Sequence, residues 1–317
     1  MWYKFVKSQK DKKQPSLFFD SWAEGNEIKD ENENPITLYH GTVSPFNQFD
    51  PSLSNHENYI GKGIYTSTSP TDVSLNYANL EGPDLVNRMQ YAREKLESEL
   101  EYGDLEASID YENATDEEKQ AYIDNLIQKM FHIDNPRTLA LYGKMNNPAK
   151  LIKNDSNFYE RRSKYDEELD DWIDEEGEAE IVFQEIENVA YYYDLSYEQI
   201  QHGIAELQEA LYNDDGFTAY ELNKALRKNS VFQNMEDNDG NLMNSEFIRK
   251  VFEKLGHDGI ITDAYDAFTH IDPYNKAYTM PGVKPGDKHY IFFDPHQLKS
   301  KTGNSGLYDP NSPILTD

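Results

Sequence analysis

The sequence changes texture twice, and this alternation limits the folds open to it more than any single motif does. Residues 15–80 carry strand-like apolar runs broken by Gly, Pro, Asn and Ser turns. Residues 84–256 read as helical and acidic, and residues 257–317 return to strand and turn through "DGIITD" and "HYIFFD". A segment as long as 84–256 exceeds any ordinary loop, so the two strand-rich ends are expected to form one domain that it interrupts. The expected class is α+β, with residues 1–83 and 257–317 as the halves of one split domain and 84–256 as a large helical insertion.

Inside that insertion, local signals mark where helices begin and which faces they bury. "TDEE" at 115–118 and "SYEQ" at 196–199 are capping boxes, in which the hydroxyl accepts from the first turn and the Glu or Gln reaches back. After the second box, Ile200, Ile204, Leu207 and Leu211 share one face. Ile248, Val251, Phe252 and Leu255 do the same before Gly256, which is expected to cap a helix C-terminus. The stretch "DEELDDWIDEEGEAE" at 166–180 holds ten carboxylates in fifteen positions and reads as a solvated helix or a partner-facing arm. "MEDNDGNLMNSE" at 235–246 imitates a calcium loop, but Met235 stands where the first carboxylate is needed. A thioether suits a hard cation poorly, so an acidic turn is expected there and no metal site.

Composition narrows the chemistry. The 317 residues include no cysteine, which excludes a disulfide framework, a thiolate metal site and a cysteine nucleophile. A formal charge of -29 opposes passive coating of nucleic acid, although a brief enzymatic encounter through one cleft stays open. The basic N-terminal "MWYKFVKSQKDKK" lacks the apolar stretch of a signal peptide, and no apolar run approaches the roughly 18 residues of a membrane span. The expectation is a cytoplasmic protein, resident in a bacterial host or delivered into a target cell, with no membrane partner. Walker loop, nucleophile elbow and zinc spacing are all missing from the sequence.

What remains is a constellation near the N-terminal end. "LYHGT" at 38–42 ends a strand on a histidine followed at once by glycine. "GKGIYTSTSPTDVSLNYA" at 61–78 then gives a glycine turn, a short strand ending at Tyr65, and Ser69-Pro70 opening a helix that carries Ser74 and Tyr77. Two tyrosines, a hydroxyl and a histidine around a glycine-lined cleft suit a flat cationic ring, such as the nicotinamide of oxidised NAD.

These segments, in this order, resemble the donor-site signature of the H-Y-E class of ADP-ribosyltransferases, the class of diphtheria toxin and the poly(ADP-ribose) polymerases. The flanking "FFDSWAEGNEIKDENENPITLYHGTVSPFNQFDPSLS" and "HYIFFDPHQLKSKTGNSGLYDPNSPI" look most like the transferase domains of phage polyvalent proteins and related toxins. The resemblance implies an ADP-ribosyltransferase split β-sandwich and NAD as substrate. His40 would bond the adenosine ribose, and Gly41 and Thr42 would belong to the same donor site. Gly41 would hold the carboxamide with help from Ser74, and Tyr65 and Tyr77 would sandwich the nicotinamide.

The family's catalytic glutamate, which favours a cationic transition state, matches His289 in this chain. Gln297 is the other polar candidate on that segment. A glutamate at position 289 is accordingly expected to raise nicotinamide release. The activity implied is mono-ADP-ribosylation of a protein or nucleic acid acceptor. An NAD-binding pseudoenzyme and an NAD glycohydrolase are the alternatives, and an antidote or partner protein is the expected occupant of the acidic insertion.

Overall fold

The computed structural model describes residues 22–315 apart from 52–53, 55–59, 104, 106–107, 132, 134–135, 167–170, 176, 239, 272–276, 304–308 and 310. The basic N-terminal segment therefore lies outside the described residues, as do Asp239 of the calcium-like loop and part of the C-terminal tail. In chain order the first elements are β1 (Leu38–Thr42), β2 (Ile64–Ser67), α1 (Pro70–Asn76), α2 (Pro83–Tyr102), α3 (Asp116–Phe131), β3 (Arg137–Gly143), β4 (Ala149–Leu151) and β5 (Phe158–Glu160). There follow β6 (Arg162–Asp166), β7 (Asp171–Glu175), α4 (Glu178–Ala190), α5 (Tyr197–Ala210), β8 (Gly216–Thr218), α6 (Ala219–Leu226) and α7 (Asn244–Lys254). The last are β9 (Gly259–Asp263), α8 (Ala264–Phe268), β10 (Thr269–Ile271), β11 (Ala277–Thr279), β12 (Lys288–Phe292) and β13 (Leu298–Ser300).

The architecture is mixed α and β, organised by a seven-stranded sheet of order β13-β3-β1-β2-β12-β9-β4. Neighbours are antiparallel except β4 and β9, which run parallel. Pairing is uneven across it. β1 meets β3 at five positions, from Leu38↔Leu141 to Thr42↔Arg137, but meets β2 only at Tyr39↔Ser67. Beyond Tyr39 the two strands separate, and the sheet parts along that line. On the far side β2 resumes full pairing with β12, where His289 stands opposite Ser67 and Ile291 opposite Tyr65.

Side chains alternate across this sheet as period-two geometry requires. Leu38, Ile64, Leu141, Ile261, Tyr290, Phe292 and Leu298 point to one face and close a core with Ile28, Phe49 and Leu315. Ile260, Ile291 and Phe293 point to the other, where they meet Val182, Ile186, Leu207, Phe247, Ile248 and Phe252 from the helices. Polar ties reinforce the second face: Asn223 donates to the Ile60 carbonyl at 2.8 Å, and Arg249 Nη2 to the Phe293 carbonyl at 2.8 Å.

The segment 84–256 is thus not an insertion standing outside the sheet. It supplies β3 next to β1 and β4 at an edge, and α4 to α7 share one continuous core with β9 and β12. Boundaries at 83 and 256 do not separate sheet from helices. The physical reason lies in "RTLALYG" and "AKL", short apolar runs whose helix or strand preference is decided by the neighbours they pair with. Among the described residues, α2 and α3 form a pair with a small core of its own, around Leu96, Leu100, Ile123 and Ile127.

Other local expectations have mixed outcomes. Both capping boxes form: Glu118 N–H donates to Thr115 Oγ1 while Thr115 N–H donates to Glu118 Oε2, and Ser196 and Gln199 exchange the same pair of bonds. Ile200, Ile204, Leu207 and Leu211 are buried along α5, and Gly256 ends α7 with φ +84°. The acidic stretch differs from its expected helix. Its described residues pair as a hairpin of β6 and β7 in which Tyr165 is opposite Trp172 and Lys164 opposite Ile173, before α4 begins. The calcium-like loop is a tight turn in which the Asp237 carboxylate accepts from Asn241 N–H and Nδ2. Among the described residues no group of three His, Asp or Glu side chains converges as a metal site would require, and no helix is long and apolar enough to cross a membrane.

Candidate active site

Where β1 and β2 separate, a cleft of about 1440 Å³ opens. Ordinary small-molecule sites occupy roughly 300–1,000 Å³, so this one has room for a dinucleotide. Its walls come from the ends of β1, β2 and β12, from α1, and from the open end of the α2–α3 pair.

His40 lies immediately past the single β1–β2 pairing. Its Nδ1 is 2.8 Å from the Tyr65 carbonyl oxygen, across the parted strands. A carbonyl only accepts, so Nδ1 carries the hydrogen and the neutral ring keeps Nε2 as an acceptor. Burial holds the imidazole neutral, lowering its pKa to about 4 against the partial support of the Tyr65 carbonyl. The Phe49 ring stands edge-on at 4.8 Å. Thr42 also lines the cleft, with its hydroxyl closed into a local turn with Ser44.

Tyr65 and Tyr77 face the same space from β2 and from the end of α1. The Tyr65 hydroxyl donates to the Gly61 carbonyl at 2.8 Å and accepts from Ile60 N–H, so the turn before the strand fixes its ring. Burial pushes both phenols above their ordinary value, with the Asp84 charge adding to the rise in each. Gly41 lines the cleft as well, and its lack of a side chain has a direct cause in packing: an added Cβ would stand 2.6 Å from the Tyr77 Cβ.

His289 enters from β12, at 1% exposure. Its ring is 4.8 Å from that of Phe268 and 6.3 Å from that of Tyr77, both of which also line the cleft. Nε2 lies 2.7 Å from Oδ2 of Asp72, a carboxylate buried completely in α1. Asp72 Oδ1 accepts from Asn76 Nδ2 at 2.8 Å. Burial pushes the Asp72 carboxyl up, but His289, Ser67 and Asn76 together outweigh it and hold the group below its ordinary value. Because Asp72 sits behind His289, a glutamate at 289 would face a buried carboxylate and share a proton with it. Two carboxylates that close would disfavour the ionisation of both.

Two of the sequence-derived candidates are elsewhere. Ser74 is exposed on α1, while Val73 and Tyr77, four residues apart, turn toward the cleft. Gln297 fixes a strand end: its Nε2 donates to the Lys144 and Asp258 carbonyls and its Oε1 accepts from Asp294 N–H. It does not line the cleft.

Sequence reasoning passed over Asp72, Ser67, Asp84 and Arg88. Asp72 was concealed by its place three residues after the N-cap Ser69, where an acidic residue reads as part of a cap. Ser69 Oγ does accept from Asp72 N–H at 3.3 Å, but the carboxylate turns inward. Asp84 and Arg88 open α2, pair at 3.6 Å and line the cleft, with Arg88 5.3 Å over the Phe131 ring. Burial raises the Asp84 pKa, and Arg88 offsets part of that rise.

No family model, curated protein or solved structure matches this chain.

Proposed function

We propose that the chain is an NAD-dependent mono-ADP-ribosyltransferase with the split β-sandwich of the H-Y-E class, acting on a protein or nucleic acid acceptor. One observation carries the reading: His40, Tyr65, Tyr77 and His289, drawn from four separate elements, meet in one cleft at the line where the sheet parts. Each has the chemistry its role needs. Neutral His40 offers Nε2 to a ribose hydroxyl, and two half-buried phenol rings offer their faces to a cationic nicotinamide. Arg88 supplies a positive group on the same wall for the diphosphate. Nicotinamide then leaves and C1 of its ribose passes to the acceptor. The acidic hairpin of β6 and β7 is the surface proposed for an antidote or partner protein.

Calorimetry with NAD tests the pocket. Wild type should bind, and Tyr77→Ala should lose on the order of 1 kcal/mol or more, about fivefold or more in affinity. Equal affinity in the two proteins would remove Tyr77 from the donor site. Labelled NAD incubated with a bacterial lysate, followed by protease or nuclease digestion, then identifies the acceptor. Label recovered only as free ADP-ribose would mean a glycohydrolase.

A further inference from the structure

Asp72 and His289 form a polar pair at 0% and 1% exposure, with His289 on the wall of the cleft and Asp72 behind it. Such pairs are kept satisfied when their role is only structural, because an unpaired polar atom in the interior is costly. This pair is not satisfied. Asp72 engages Nε2 of His289 through Oδ2 and the amide of Asn76 through Oδ1, whereas Nδ1 of His289 is buried with no hydrogen-bond partner. Since the carboxylate can only accept, Nε2 carries the hydrogen, which leaves Nδ1 as the ring nitrogen able to offer a lone pair.

We propose that Asp72 and His289 act as one unit in the NAD cleft, with His289 Nδ1 as the general base toward the acceptor and Asp72 as the residue that positions it. The inference rests on the NAD reading above. It also supplies what a lone histidine lacks, because the pair carries a carboxylate charge on Asp72, 2.7 Å from Nε2.

The step balances. The bond from C1 of the ribose to the nicotinamide nitrogen breaks, and its electrons leave with neutral nicotinamide. An acceptor hydroxyl or water bonds to C1, and its proton passes to Nδ1. The ring becomes an imidazolium held against the Asp72 carboxylate, and the pair goes from one negative charge to none while the sugar cation is quenched.

Three proteins and three readouts test this. Asn at position 72 offers an N–H to Nε2, which moves the ring hydrogen to Nδ1 and removes the base without removing the histidine. Asp72→Asn should therefore bind NAD within about twofold of wild type by calorimetry, yet release nicotinamide at saturating NAD on the order of 100-fold more slowly. The double variant Asp72→Asn/His289→Glu places one carboxylate in the cleft and should recover at least tenfold of that loss. A purely structural Asp72 would give no such recovery.

Nitrogen NMR of wild-type His289 reads the tautomer directly and needs no variant to fold. Hydrogen on Nε2 with a bare Nδ1 supports the pair, and hydrogen on Nδ1 alone overturns it. If wild type binds NAD and Asp72→Asn releases nicotinamide at the wild-type rate, the pair is overturned while the NAD site stands. If wild type binds NAD but releases no nicotinamide, the pair is likewise overturned and a binding module remains. Failure of wild type to bind NAD removes the reading on which the pair depends.

Discussion

A β-carbon at position 41 would meet the Cβ of Tyr77 at 2.6 Å, its carbonyl carbon at 2.8 Å and Ala78 N at 2.9 Å. Two of those atoms are backbone and cannot swing aside. Gly41→Ala should push the end of α1 away from β1, costing about 1–3 kcal/mol by overpacking and misplacing the Tyr77 ring; urea unfolding and NAD calorimetry should both register it. His40 gives a pH signature. Its folded pKa of about 4 lies below the ordinary 6.5, so the unfolded chain binds more protons between those values. Stability from this group is complete above about pH 6.5 and is lost as pH falls toward 4. Between pH 7 and 4.5 wild type should lose about 1–2 kcal/mol more than His40→Asn, whose amide can replace the bond to the Tyr65 carbonyl. At this scale the sequence was most informative where residue type dictates chemistry, as for His40, Tyr65 and Tyr77. It failed where side-chain direction decides. Positions 73 and 74 both lie near position 77 on a helix, and nothing local distinguishes the inward one. The carboxylate of Asp72 is equally at home in a cap or turned to a buried histidine.

The helices obeyed their local signals because those signals are self-contained. Ser196 and Gln199 satisfy two backbone donors between themselves, and Ser196→Ala should cost about 1 kcal/mol in urea unfolding with no change in NAD affinity, since α5 lies away from the cleft. Strands β3 and β4 were not legible for the opposite reason. "RTLALYG" has no strand identity until β1 lies along one side of it and β13 along the other. The β6–β7 hairpin was concealed by its charge, which drew attention from the aromatic positions that its register sets opposite each other. The parting of β1 from β2 was beyond local reading altogether, because it depends on where pairing stops.

For the whole molecule, the shared core makes the helical region inseparable from the sheet. Replacing residues 84–256 by a short linker should yield no cooperative unfolding transition, because β3, β4 and the helices over Ile260 and Ile291 go together. Replacing only residues 85–134, which hold the α2–α3 pair and its separate core, should leave a folded protein with weakened NAD binding. Circular dichroism melts and calorimetry on both deletions distinguish these outcomes.

The position of β12 in the middle of the sheet also has a consequence in time. It is hydrogen-bonded to β2 on one side and β9 on the other, yet it follows β2 by a long stretch of chain. At 5–20 residues per second, on the order of 10–40 s separates translation of Tyr77 from that of His289. Throughout that interval the nascent chain holds half a cleft, with β2 lacking its neighbour and nothing opposite Asp72. A ribosome stalled anywhere in the helical region therefore carries only part of the cleft, whose walls meet once β12 has emerged.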